Sequence, residues 1–80
     1  MNMSVMGERI KATRLERKLT LEKLAEKIGI SRNFLWEIEA GRKAPAIQTL
    51  YSIAKELNVS IDYLFSLAPT ENTPEETQIT

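Results

Sequence analysis

Eighty residues without a cysteine or a histidine make one small domain that neither disulfides nor zinc can staple, and the same absence removes the commonest nucleophile and general-base pairs of enzymes. Eleven basic and eleven acidic side chains cancel, yet residues 1–68 carry all eleven bases against eight acids, or +3, while Glu71, Glu75 and Glu76 place the opposite charge in the last dozen residues. No apolar run approaches the roughly 18 residues of a membrane span and the first seven residues do not read as a signal peptide, so a cytoplasmic protein that is no enzyme and needs no metal or cofactor is expected.

The first helix is expected over about Met6 to Lys18, where Met6 and Ile10 begin a stripe that Arg14 continues. An arginine on such a stripe wants a carboxylate. The second helix carries the clearest signals: Thr20 is an N-cap, Glu22 suits the positive end of the first turn, and Leu21, Leu24, Ala25 and Ile28 fall at i, i+3, i+4 and i+7. Gly29 ends it. Ser31 then caps a third helix that runs to about Ala40 before Gly41, with Leu35 and Ile38 inward and Phe34 on the flank.

After the loop from Gly41 to Pro45, a fourth helix sets Leu50, Ile53, Ala54 and Leu57 on one face with Ile47 and Tyr51 beside them, and Asn58 and Val59 form its exit. Ser60 caps a fifth helix in which Ile61, Leu64, Phe65 and Ala68 repeat the same spacing. The segment from Pro69 to Thr80 holds two prolines, four threonines, three glutamates and one aliphatic residue. It cannot bury enough to offset backbone ordering, so residues 69–80 are expected to be an acidic, disordered tail on an all-α, five-helix domain of residues 1–68.

Two short helices joined by a Gly-containing turn, the second with polar residues facing out, describe a helix-turn-helix. The small Ala25 suits a close helix crossing, Gly29 the turn, and Leu24, Ile28, Ile30, Leu35 and Ile38 the core. With Leu35 and Ile38 inward, Arg32, Asn33, Trp36, Glu37 and Ala40 lie on the outer side of the third helix. Such a helix meets base edges in the major groove through its N-terminal part, where Arg32 can pair with guanine, Asn33 with adenine and Glu37 with cytosine N4. The competing reading is a solvated face. Three placements are open to Trp36: folded over its neighbours, against a thymine methyl or sugar, or against another chain.

The stretch from Arg14 to Phe65, above all LAEKIGIS, IEAGRKAP and LYSIAKELNVSIDYLF, resembles the five-helix DNA-binding domain of the lambda and 434 repressor and Cro family, also called the xenobiotic-response-element family. The resemblance covers about residues 7 to 67 and implies a sequence-specific regulator of transcription, commonly a dimeric repressor. It also implies base contacts from Arg32, Asn33 and Glu37, a structural ion pair between Arg14 and Glu39, and a place near the DNA backbone for Phe34. Many relatives have a phosphate-binding Gln at the position of Leu21, and leucine cannot make that contact.

Phosphate contacts are expected from Thr20, Ser31, Arg42 and Lys43, together with Phe34. Lys11, Arg17, Lys18, Lys23 and Lys27 read as solvated faces. Tyr51, Ile61, Tyr63, Phe65 and Leu67 offer more apolar surface than a small domain hides, which suggests a two-fold interface near the fifth helix unless they complete the monomer core. The expected function is therefore a homodimeric repressor of a near-palindromic site on double-stranded DNA. The rival is an antitoxin or adaptor whose main partner is a protein.

Overall fold

The computed structural model describes residues 3–65. They form α1 (Met3–Glu16), α2 (Leu21–Ile28), α3 (Arg32–Glu39), α4 (Ile47–Leu57) and α5 (Ile61–Phe65), with no strand among the described residues. The all-α, five-helix expectation holds. Ala68, Leu67 and the 69–80 tail lie outside the described residues.

Hydroxyl caps start three of the helices. Thr20 Oγ1 accepts from the Lys23 amide, Ser31 Oγ from Phe34 and Ser60 Oγ from Tyr63, each at 3.0 Å, so one orphan donor of each first turn is satisfied. The helix ends share one device. The amides of Leu19, Ile30, Arg42 and Val59 reach back to the carbonyls of Arg14, Ala25, Glu37 and Ala54 at 3.1, 3.0, 2.9 and 3.0 Å. In each case the preceding residue turns left-handed, as the Schellman closure requires: Lys18 (φ 58°), Gly29 (φ 79°), Gly41 (φ 77°) and Asn58 (φ 60°).

Glycine and asparagine tolerate that conformation, whereas Lys18 pays for its Cβ. Left-handed Lys18 is also why α1 stops at Glu16 rather than continuing to Lys18. At its other end α1 begins at Met3, before the apolar stripe does.

Met6 and Ile10 of α1 meet Leu24 and Ala25 of α2, Leu35 and Ile38 of α3, four residues of α4 and Leu64 of α5 in one core. Ile28, Ile30 and Leu21 are only half-buried against it. α1 and α3 come unusually close, because a Cβ on Gly7 would collide with the backbone carbonyl oxygens of Ile38 and Glu39. Backbone cannot swing aside as a flexible side chain can, so this crossing demands glycine.

Two arginines of α1 and a third just past its end then clasp the remainder of the domain. Arg9 donates to the Tyr63 carbonyl at 2.8 Å, Arg14 to the Leu19 carbonyl at 2.9 Å and Arg17 to the Leu57 carbonyl at 2.9 Å. Arg17, read from sequence as a solvated face, thus neutralises the negative end of α4.

Candidate nucleic-acid interface

α3 is held from the inside by two independent means. Leu35 and Ile38 are fully buried, and Glu39 binds Arg14 in a fork, Nε to Oε2 at 2.7 Å and Nη2 to Oε1 at 3.0 Å. Both partners are buried, with 7% exposure each. A bidentate arginine-carboxylate pair fixes orientation as well as distance, so α3 can neither roll nor slide on α1.

The outer side of the same helix carries Arg32, Asn33, Trp36 and Ala40, all exposed, with Glu37 half-buried. Three of these candidate side chains are braced by a neighbour. Arg32 Nε lies 3.8 Å from Glu22 Oε2, which puts the first turn of α3 beside the first turn of α2. Glu37 Oε1 lies 3.2 Å from Lys43 Nζ. The Arg42 guanidinium sits over the Trp36 ring, 5.7 Å from its centroid, and Trp36 shares a shallow hollow with Lys11, Glu39 and Ala40. Of the placements open to Trp36, contact with its own domain is therefore present, and 44% of the residue still faces solvent.

Thr20 and Ser31 accept backbone hydrogen bonds as caps. Each hydroxyl keeps its own proton to donate, so both remain able to bind a phosphate oxygen. Phe34 differs: it is half-buried against the core, its amide is engaged by Ser31, and its ring carries no hydrogen-bond donor. Arg42 and Lys43 are exposed in the loop after α3.

The proposed self-association residues divide. Tyr51 and Tyr63 are 58% and 48% exposed, whereas Ile61 and Phe65 pack against the monomer core, and Leu67 lies outside the described residues. Tyr63 also stacks under the Arg9 guanidinium at 5.5 Å. Two features of this region have no local signature in the sequence, the Glu22 brace on Arg32 and the Lys27 to Glu56 pair at 3.6 Å that links α2 to α4.

A family model described as a helix-turn-helix domain matches residues 7–68. The chain belongs to that family. Its Cro/C1-type relatives include the immunity repressor protein of Bacillus phage phi105, 46% identical over 56 residues, or 70% of this chain and 39% of that protein. The helix-turn-helix domain also superimposes on solved structures: the N-terminal DNA-binding domain of SinR from Bacillus subtilis (TM-score 0.76, 34% identity, 84% of this chain and 99% of that one). A second is the P22 c2 repressor in complex with a synthetic operator (TM-score 0.73, 33% identity, 75% and 91%).

The chain spans 39%, 54% and 52% of the lengths of three curated relatives it matches. Those relatives are an immunity repressor and two helix-turn-helix-type regulators of transcription. Among the described residues no helix is long and apolar enough to cross a membrane, and no group of acidic residues could hold a metal ion.

Proposed function

We propose that this helix-turn-helix domain is a sequence-specific, DNA-binding repressor of transcription that acts in the cytoplasm as a homodimer on a near-palindromic operator. The observation that carries the reading is the outer face of α3. It combines Arg32, Asn33 and Glu37, three side chains with the donor and acceptor patterns of base edges, on a helix whose inner face is immobilised by Leu35, Ile38 and the Arg14–Glu39 fork. A rigid mount matters because base readout depends on placing side chains to within a fraction of an ångström.

Arg32 reads guanine O6 and N7, and Asn33 reads adenine N6 and N7. Glu37 accepts from cytosine N4, and the exposed edge of Trp36 meets a thymine methyl or sugar. Thr20, Ser31, Arg42 and Lys43 position the duplex through phosphates. Exposed Tyr51 and Tyr63, with the outer edges of Ile61 and Phe65 and with Leu67, form the two-fold contact that presents two recognition helices about 34 Å apart. The repressor assignment is supported by the phage immunity repressor and the P22 c2 repressor.

Selection of bound oligonucleotides from a random pool tests the whole reading, because it yields a half-site and a spacing together. Two half-sites whose centres lie one helical turn or a multiple apart are expected, and affinity is expected to fall steeply with salt. A second reading, an adaptor whose main partner is a protein, is favoured by half-buried Leu21, which leaves one usual phosphate contact unmade. It is favoured too by the similarity to SinR in its complex with SinI (TM-score 0.74, 36% identity, 78% of this chain and 61% of that one). No binding to random DNA at about 50 mM salt decides for that alternative.

A further inference from the structure

We propose that Lys43 is a specificity-determining positioning residue: it does not merely grip a phosphate but neutralises and aims the Glu37 carboxylate, so that base preference depends on a lysine outside the recognition helix. The inference rests on the DNA-reading function proposed above for α3.

A carboxylate entering the major groove meets the negative field of two phosphate backbones, and a bare Glu37 would be repelled before it reached a base amino group. The structure supplies a counter-charge. Lys43 Nζ lies 3.2 Å from Glu37 Oε1, and the Glu37 side chain is 25% exposed against 57% for Lys43.

This contact is not a chance meeting of two long side chains. The Glu37 carbonyl accepts the amides of both Arg42 and Lys43, at 2.9 and 3.3 Å, so the backbone of residue 43 is tied to the backbone of residue 37. Gly41 makes that closure at φ 77°, and a Cβ there would press on Ser4 of α1, 2.8 Å from its Oγ. The turn that delivers Lys43 to Glu37 thus lies close against α1, with no room for a side chain at Gly41.

With the Lys43 end of the pair 57% exposed, water screens it and its contribution to folding is small, so stability alone does not account for such a construction. An ammonium group has three donors. Lys43 can hold Glu37 with one and a phosphate with another, which couples backbone contact to base choice. Lys43→Ala is then no uniform loss: it removes the brace as well as the phosphate contact, and Glu37 withdraws from its base pair.

The test is selection from a random oligonucleotide pool with the full chain and four variants, Glu37→Ala, Lys43→Ala, Lys43→Arg and the double Glu37→Ala/Lys43→Ala, each checked by its melting temperature. Glu37→Ala is expected to flatten preference at one base pair by about 10-fold. Lys43→Ala is expected to flatten the same base pair and to lower affinity for every sequence, the double variant to flatten it no further, and Lys43→Arg to retain it. A Lys43→Ala variant that loses one common factor on all sequences, with preference intact, overturns the proposal and leaves the DNA-reading function standing. If Glu37→Ala alters no position the proposal also fails, together with the Glu37 base contact, although an Arg32-dependent preference would still uphold the broader reading. A wild-type chain that selects no sequence at all brings down both.

Discussion

Glu37 and Glu39 sit two residues apart on α3, and the difference between them separates the two sides of this helix. Glu39 faces inward, is 7% exposed and is gripped at both oxygens by Arg14. Glu37 faces the loop and touches Lys43 through one oxygen. The chemistry is the same, a carboxylate beside a cation, yet burial changes what it does. Inside, the pair is an obligation, since removing one partner strands a charge in the core. Outside, water screens the pair, so Lys43 can keep Glu37 and still offer a second donor to a phosphate. The inner side of α3 therefore holds position, and the outer side is available for recognition.

The sharpest way to break this contrast is Glu39→Ala. It is expected to cost about 3–5 kcal/mol by leaving Arg14 uncompensated, a fall in melting temperature on the order of 20 °C for a domain of this size. Sequence preference, measured at a temperature where the variant is still folded, should be unchanged. An unaltered melting temperature would show that the fork does not hold the helix. Next in size comes Gly7→Ala, which pushes a methyl group into the carbonyls at the end of α3 and should cost about 3 kcal/mol in chemical denaturation; a neutral result would mean that α1 and α3 can separate freely.

Arg32→Ala probes the other side. Its expected signature is the mirror image of Glu39→Ala: relaxed preference at one base pair, by about 1–3 kcal/mol in competition binding, with an unchanged melting temperature. The smallest effect expected is a gain. Lys18→Gly relieves a left-handed non-glycine residue at the end of α1 and should stabilise by up to about 1 kcal/mol without touching DNA affinity. A loss of affinity there would place Lys18 at the interface instead.

The α2–α3 unit is legible in the sequence because its signals are local. Thr20, Gly29 and Ser31 act within one turn of where they stand, and the periodicity of Leu21 to Ile38 reports a face without reference to the remainder of the chain. α1 is less legible, for a physical reason. Gly7 is glycine because of carbonyls more than thirty residues away, and Arg17 binds the carbonyl of Leu57 at a separation of 40 residues, so neither leaves a pattern in its own segment. Lys18 hides the end of α1 since a lysine carries no hint of a left-handed backbone. On the outer side of α3, residue types suggest base contacts, but the braces from Glu22, Arg42 and Lys43 belong to the tertiary structure. Phe34, at a position that the family resemblance places near the DNA backbone, is half-buried against the core.

The arginine clasp in and just after α1 also bears on lifetime. α2 and α3 join through three residues and can associate early, whereas the bonds from Arg17 to Leu57 and from Arg9 to Tyr63 span 40 and 54 residues and must wait until α4 and α5 are in place. Bonds that form after the rate-limiting step slow unfolding and leave the refolding rate unchanged. Loosening either arginine is therefore expected to speed unfolding more than it slows refolding, which the two arms of a chevron plot for Arg9→Ala and Arg17→Ala would read.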